Sequence, residues 1–151
     1  MDFEKARFNM VEQQIRPWDV LDFDLLDALQ DLPRELFVSE DQKAYAYTDC
    51  PLPLPNGGTM IEPKIVARMV QGLALKKTDN VLEIGTGSGY AAALLAKLSH
   101  EVTTIDVDVD QQVRAKAALS AIDQENVVFQ TADGWAAAVG GAPFDAIYVG
   151  G

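Results

Sequence analysis

The first third of the chain carries apolar residues at helical spacing. In FEKARFNMVEQQI, Phe3, Ala6, Met10 and Val11 fall on one face, and Arg16-Pro17 ends the run. WDVLDFDLLDALQDL places Leu21, Leu25, Leu26, Leu29 and Leu32 in a second helical stripe. Its early acids Asp19, Asp22 and Asp24 suit a helix N-terminus. Pro33 closes the stripe and opens a short turn through RELFV. In PLPNGGTMIEPKIVARM a proline-rich approach meets Gly57-Gly58, and Met60 and Ile61 are expected on the exposed turn. A helix then begins at Pro63, with Ile65, Val66, Met69 and Val70 as its buried stripe.

Past Lys76 the rhythm changes. NVLEIG reads as a strand, YAAALLAKL as a helix, and EVTTID as a strand ending in an acid. VDQQVRAKAALSAI reads as a helix with Val113, Ala117 and residues 119–121 inward. NVVFQTAD and FDAIYVG complete the series as strands. This alternation predicts an α/β fold: a doubly wound, mostly parallel, Rossmann-like sheet with right-handed crossovers. Residues 1–50 are expected to form an N-terminal helical segment packed on the main domain, and 51–151 the sheet domain. Such a sheet binds ligands beyond the carboxyl ends of its strands, at the switch point. The fourth strand ends where a further helix is expected, so the sheet domain is read as truncated, with part of the acceptor site beyond it.

Apolar residues make up 48% of the chain and charged ones 23%, which supports a globular core rather than disorder. The net charge of −11 argues against a nucleic-acid partner and is compatible with a cationic or zwitterionic ligand. With one cysteine, Cys50, and one histidine, His100, an intrachain disulfide is impossible and no metal site is expected. No apolar run approaches the ~18 residues of a membrane span. The N-terminus lacks the apolar core of a secretory signal. A cytoplasmic protein with no membrane partner is therefore expected.

The chemistry concentrates at Glu83, Gly85, Thr86, Gly87, Ser88 and Gly89, between a strand and a helix. Glycines there let backbone approach a ligand, and a helix start offers N–H donors to it. The dinucleotide fingerprint needs a glycine where Tyr90 stands, which counts against a nicotinamide dehydrogenase. The pattern E-x-G-x-G-x-G instead resembles the first motif of class I S-adenosylmethionine-dependent methyltransferases. In them the loop wraps the methionine part of the cofactor, and Glu83 matches the acid on its ammonium side. Asp106 follows Gly85 by about 20 residues, the spacing at which a carboxylate meets ribose hydroxyls. Asp133-Gly134 ends the next strand and matches the adenine side of the methyltransferase pattern. One such acid alone reads as a helix N-cap; two behind this loop favour a cofactor site.

MVEQQI, DLPRELFV, AYTDCPLPLPNGGT, EPKIVARM, VLEIGTGSGYAAALLA, ADGW and FDAIYV occur in this order. Together they resemble the protein-L-isoaspartate O-methyltransferase family, over residues 10–151. The resemblance implies S-adenosylmethionine as cofactor, no metal, and a protein or peptide acceptor. The methyl group would go to the α-carboxyl of L-isoaspartyl residues in damaged proteins. It also implies that Thr59 stands as the threonine of the family's GQTIS-P turn, between cofactor and acceptor carboxylate, and that Pro63 is its proline. Asp106 stands where the family has glutamate, Gly58 replaces its glutamine, Ile61 its serine, and RPW at 16–18 its RGI. A serine hydroxyl donates to a carboxylate and isoleucine cannot. Three readings stay open: an isoaspartyl methyltransferase, a homologue with another acceptor, and a non-catalytic cofactor-binding module.

Overall fold

The computed structural model describes residues 1–133 and 143–150, so the expected site residue Gly134 lies outside the described residues. The chain divides into two compact units, Met1–Ala74 and Leu75–Gly151. The division expected near residue 50 thus falls later, and the proline-rich turn and the helix after it belong to the first unit.

In the first unit the expected N-terminal helix changes geometry along its length. Helix α1 (Phe3–Met10) starts at Asp2, whose side chain accepts from the Lys5 N–H. It widens into a π turn over Val11–Ile15, then tightens into a 3-10 turn over Arg16–Trp18. Pro17 has no N–H, so the α pattern cannot run through it. Asp19 leaves the turn in the left-handed region at φ 61°. Helix α2 (Phe23–Asp31) is capped by Asp22, whose carboxylate accepts from the Leu25 N–H at 3.0 Å. Leu25, Leu29 and Leu32 are buried. Leu21 precedes this cap and is exposed, so it does not join the stripe.

Strands β1 (Leu52–Pro53) and β2 (Thr59–Met60) pair antiparallel, with Leu52 opposite Met60 and Pro53 opposite Thr59. Gly57 takes φ 88° in the connecting turn, where the Leu54 N–H donates to the Gly58 carbonyl. Side chains alternate along a strand. Met60 therefore turns inward with Leu52 and is buried, contrary to expectation, while Thr59 is exposed. Helix α3 (Pro63–Gly72) begins at Pro63 as expected. Val66, Ala67 and Val70 are buried, but Met69 faces out and Ala67 takes the inward place.

In the second unit, strands β3 (Asn80–Ile84), β4 (Glu101–Asp106), β5 (Val127–Thr131) and β6 (Ala146–Val149) form a parallel sheet in the order β5-β4-β3-β6. Helices α4 (Tyr90–Leu98) and α5 (Val109–Ala121) connect β3 to β4 and β4 to β5. The chain winds outward from β3 to β5 and then returns to the other side of β3. The switch point thus lies between β3 and β6.

Helix α5 turns a different face inward from the one its apolar pattern suggests. Val113, Ala117 and Ala121 face out, and Gln111, Gln112, Ala115 and Leu119 face in. The glutamines are buried because their amides have partners. Gln111 Nε2 donates to the Gly87 carbonyl and Gln112 Nε2 to the Gln130 carbonyl, each at 2.7 Å. The small Ala115 allows close approach to Gly89, where an added Cβ would lie 2.9 Å from the Ala115 Cβ. Gly89 also sits at φ 89°.

Gly89→Ala is therefore expected to destabilise the chain by about 2–4 kcal/mol, from overpacking and from a side chain at positive φ. Gly72 ends α3 with nothing within 4 Å of an added Cβ. Gly72→Ala should stabilise by about 0.5–1 kcal/mol. Urea unfolding of the two variants beside the parent measures both.

Candidate functional site

The ends of β3, β4 and β5 bring Gly85, Asp106 and Asp133 to one edge of the second unit's sheet. The loop between β3 and α4 turns on three glycines, with φ 92° at Gly85, 53° at Gly87 and 89° at Gly89. Its backbone donors are largely engaged within the fold. The Gly85 N–H donates to the Ile105 carbonyl at 2.8 Å, Gly89 to Thr86 O at 3.0 Å, and Tyr90 to Ser88 Oγ at 3.2 Å. The Gly87 N–H donates to Asp106 Oδ2 at 3.2 Å. Two of these donors, Gly89 and Tyr90, stand at the start of α4 and are engaged within the loop. A pyrophosphate cradle relies on such donors. This loop instead offers close backbone approach beside carboxylates.

Asp106 carries two roles. Oδ2 holds the glycine loop, and Oδ1 accepts from the Asp108 N–H at 3.0 Å. A carboxylate has roughly four acceptor positions, so these contacts leave capacity for further hydroxyl donors. Asp133 is exposed at the end of β5. The Thr86 side chain is buried, and its hydroxyl meets Thr104 Oγ1 at 2.7 Å. Ser88 uses its hydroxyl oxygen locally, and Gly89 answers to packing against Ala115.

Glu83 lies beneath this loop with 1% of its surface exposed. The parallel register sets it beside Thr104 of β4 and Tyr148 of β6, on one face of the sheet. Thr104 Oγ1 donates to Glu83 Oε1 at 2.6 Å, and no ion pair to Glu83 forms among the described residues. Burial pushes its carboxyl up to about 8; the Thr104 hydroxyl opposes the shift and the charge of Asp106 adds to it. Burial, with a smaller effect of the Glu83 charge, also raises the Tyr148 phenol.

In the first unit, Thr59 is exposed on β2 and Ile61 is half-buried just beyond it. The Ile61 carbonyl accepts from Arg34 Nη2 at 3.0 Å, while Arg34 Nε donates to the Ala46 carbonyl at 2.7 Å. Arg34 is fully buried, and its N–H donates to the Tyr47 hydroxyl at 3.0 Å. That hydroxyl also accepts from Arg7 Nε and donates to Glu35. Sequence reasoning assigned Arg34 and Thr104 no role. Arg34 stands in DLPRELFV with Asp31 and Glu35 beside it, so no pattern set it apart, and Thr104, in a strand of β-formers, left no signal either. Trp18 of the RPW turn stacks under Lys64, whose Nζ is 4.4 Å from the ring centroid. Among the described residues no cluster of three histidine, cysteine or acidic side chains could hold a metal. None of their helices is long and apolar enough to cross a membrane.

A parallel β5-β4-β3-β6 sheet, with a glycine turn after its first strand and an acid ending its second, is the α/β fold of class I methyltransferases. The family model described as protein-L-isoaspartate(D-aspartate) O-methyltransferase matches residues 6–151, and the chain belongs to that family. A relative named protein-L-isoaspartate O-methyltransferase 1, from Syntrophobacter fumaroxidans, is 42% identical over 149 residues, covering 99% of this chain and 70% of its own. A solved protein-L-isoaspartate O-methyltransferase superposes with a TM-score of 0.80 at 26% identity, covering 97% of this chain and 47% of its own. A second, from Plasmodium falciparum and in complex with S-adenosyl-L-homocysteine, has a TM-score of 0.76 at 19% identity, with coverage of 99% and 73%; it speaks for the fold alone. The chain spans 60% to 70% of the length of four of the curated relatives it matches.

The raised Glu83 carboxyl has a signed consequence for stability. The folded state keeps a proton that the unfolded chain, with a value near 4.5, gives up. Its contribution is thus full below that value and is lost as pH rises through about 8. Melting temperature should fall with pH across this window more steeply in the parent than in Glu83→Gln. Parallel slopes for the two proteins would contradict the assignment.

Proposed function

We propose that this chain forms the cofactor-binding and acceptor-turn part of an S-adenosylmethionine-dependent carboxyl methyltransferase. Its acceptor is the α-carboxylate of L-isoaspartyl residues in proteins or peptides, and it works in the cytoplasm. Family membership across residues 6–151 is the observation that carries this reading.

The residues present fit the cofactor. Four loop N–H groups are engaged internally, so the loop suits the ammonium of an amino-acid end better than a pyrophosphate. Asp106 keeps acceptor capacity for ribose hydroxyls, and Glu83 supplies a carboxylate under the loop. Asp133, just after β5, stands where the methyltransferase pattern has its adenine-side acid. When bound, S-adenosylmethionine supplies a methyl group already activated by its sulfonium.

The chain's own residues have little acid–base work to do, because the acceptor carboxylate is ionised at neutral pH. Their task is to hold the acceptor oxygen in line, and such positioning accounts for several kcal/mol of barrier in general. Thr59, exposed on β2, is the candidate to donate to the acceptor carboxylate. Arg34 holds the adjoining main chain at Ile61. The half-buried Ile61 supports a second reading, an acceptor other than isoaspartate, because it offers no donor where the family has serine.

Radiolabelled methyl transfer from S-adenosylmethionine to an isoaspartyl peptide, using the natural protein that carries this sequence, tests both. Transfer to the isoaspartyl peptide and not to its aspartyl counterpart is the expected result. Ile61→Ser should raise kcat/KM about tenfold, the worth of one hydrogen bond to a charged group. Binding without transfer to either peptide would favour the second reading, and no cofactor binding would exclude both.

A further inference from the structure

A buried hydrogen-bonded chain runs beneath the glycine loop, and counting its protons gives it a direction. Thr86 Oγ1 lies 2.7 Å from Thr104 Oγ1, which lies 2.6 Å from Glu83 Oε1. Thr86, Thr104 and Glu83 are all nearly or fully buried, and the two threonine hydroxyls hold one proton each. With Glu83 ionised, the Thr104 proton must go to the carboxylate. Thr104 then has only lone pairs to offer Thr86, so the Thr86 hydroxyl must donate to it. With Glu83 protonated, the carboxyl can donate to Thr104 and Thr104 to Thr86. The Thr86 proton is then turned away from Thr104.

We infer that Thr104 is a positioning residue of the cofactor loop. Through it the Thr86 hydroxyl and the Glu83 carboxyl form one chain, whose direction reverses when Glu83 gains or loses a proton. This rests on the cofactor reading proposed above. The register supports it independently, because Glu83 and Thr104 are direct partners across β3 and β4. The titratable groups facing Glu83 from the flanking strands are Asp106 on β4 and Tyr148 on β6. Neither supplies a positive charge. The ammonium of a ligand bound at the loop therefore favours the ionised form. Near neutral pH, below the carboxyl's value of about 8, binding then expels the Glu83 proton to solvent and leaves the chain donating from Thr86 through Thr104 to Glu83. No other bond changes.

Two measurements on the natural protein test this. Carbon-13 NMR of the glutamate side-chain carboxyls, with Glu83→Gln to identify the resonance, follows Glu83 in the ligand-free protein. Calorimetry of S-adenosyl-L-homocysteine binding in buffers of different ionisation enthalpy counts the protons released. The parent should release protons near neutral pH and almost none well above the Glu83 titration. Thr104→Val, close in shape, should move that titration upward and weaken binding about tenfold, the scale for a lost hydrogen bond to a charged group. Thr104→Ser should restore both. A Thr104→Val protein that binds more weakly with its Glu83 titration unmoved would overturn the proposal, since a plain packing role predicts that result. If Thr104→Val does not fold, Thr86→Val serves: it keeps the contact between Thr104 and Glu83 and should move the titration upward by less. No movement there would also overturn the proposal. A parent that binds no S-adenosyl-L-homocysteine, with Glu83 still shifted in the Thr104→Val protein, would sink the cofactor reading and leave the hydrogen-bonded chain standing.

Discussion

The parallel register between β3 and β4 governs what the second unit can present. From Asn80 opposite Glu101 to Ile84 opposite Ile105, the strands pair residue for residue, and the Gly85 N–H adds one more bond to the Ile105 carbonyl. That alignment places Glu83 and Thr104 on the same face and ends both strands at the same edge, where Asp106 reaches the Gly87 N–H. Because side chains alternate along a strand, a slip of one residue would turn the Glu83 carboxyl to the opposite face. It would also carry Asp106 out of step with the loop. The sheet therefore acts as the ruler for the loop, and the glycines answer to it.

The same region concentrates acidity that the rest of the chain dilutes over its surface. A net charge of −11 spread over exposed acids keeps a protein dispersed in water. Glu83 is different in kind, because it is an acid enclosed by protein with a hydroxyl for company. A buried carboxyl without a cation is costly to ionise, and such groups collect where a fold binds or reacts. Asp106 contrasts with it. It is only partly buried, and two backbone N–H groups hold it. Two acids beside one loop thus sit in different surroundings, one enclosed and one partly open to water.

How much was legible depended on whether burial or hydrogen bonding decided a residue's place. The four strands of the second unit were readable because each run stops at a glycine or an acid, and α4 because alanine and leucine fill it; burial follows the apolar pattern in β3, β4 and α4, whereas Val128, Ile147 and Val149 of β5 and β6 stay exposed. Helix α5 was recognised, but its inward face was not. Gln111 and Gln112 enter the interior on amide hydrogen bonds that hydropathy does not record, and Val113 is left outside. Met60 was misplaced because the two-residue pairing with Leu52 is too short to leave an alternation in the sequence. Of the site, the glycine turn and the acids at the strand ends were visible as a motif. The internal engagement of Thr86 and of the Gly85 and Gly87 N–H groups was not, since it arises from partners about 20 residues away.

Arg34 grips the turn at Ile61 through the carbonyl oxygen and not through the side chain. A main-chain grip is indifferent to what residue 61 carries. The turn keeps its backbone when that side chain is exchanged, so position 61 tolerates isoleucine or a smaller residue without loosening the main chain around it. The two positions thus answer to different demands: exchanging the side chain at residue 61 alters the surface of the turn, whereas a change at Arg34 would reach the architecture first.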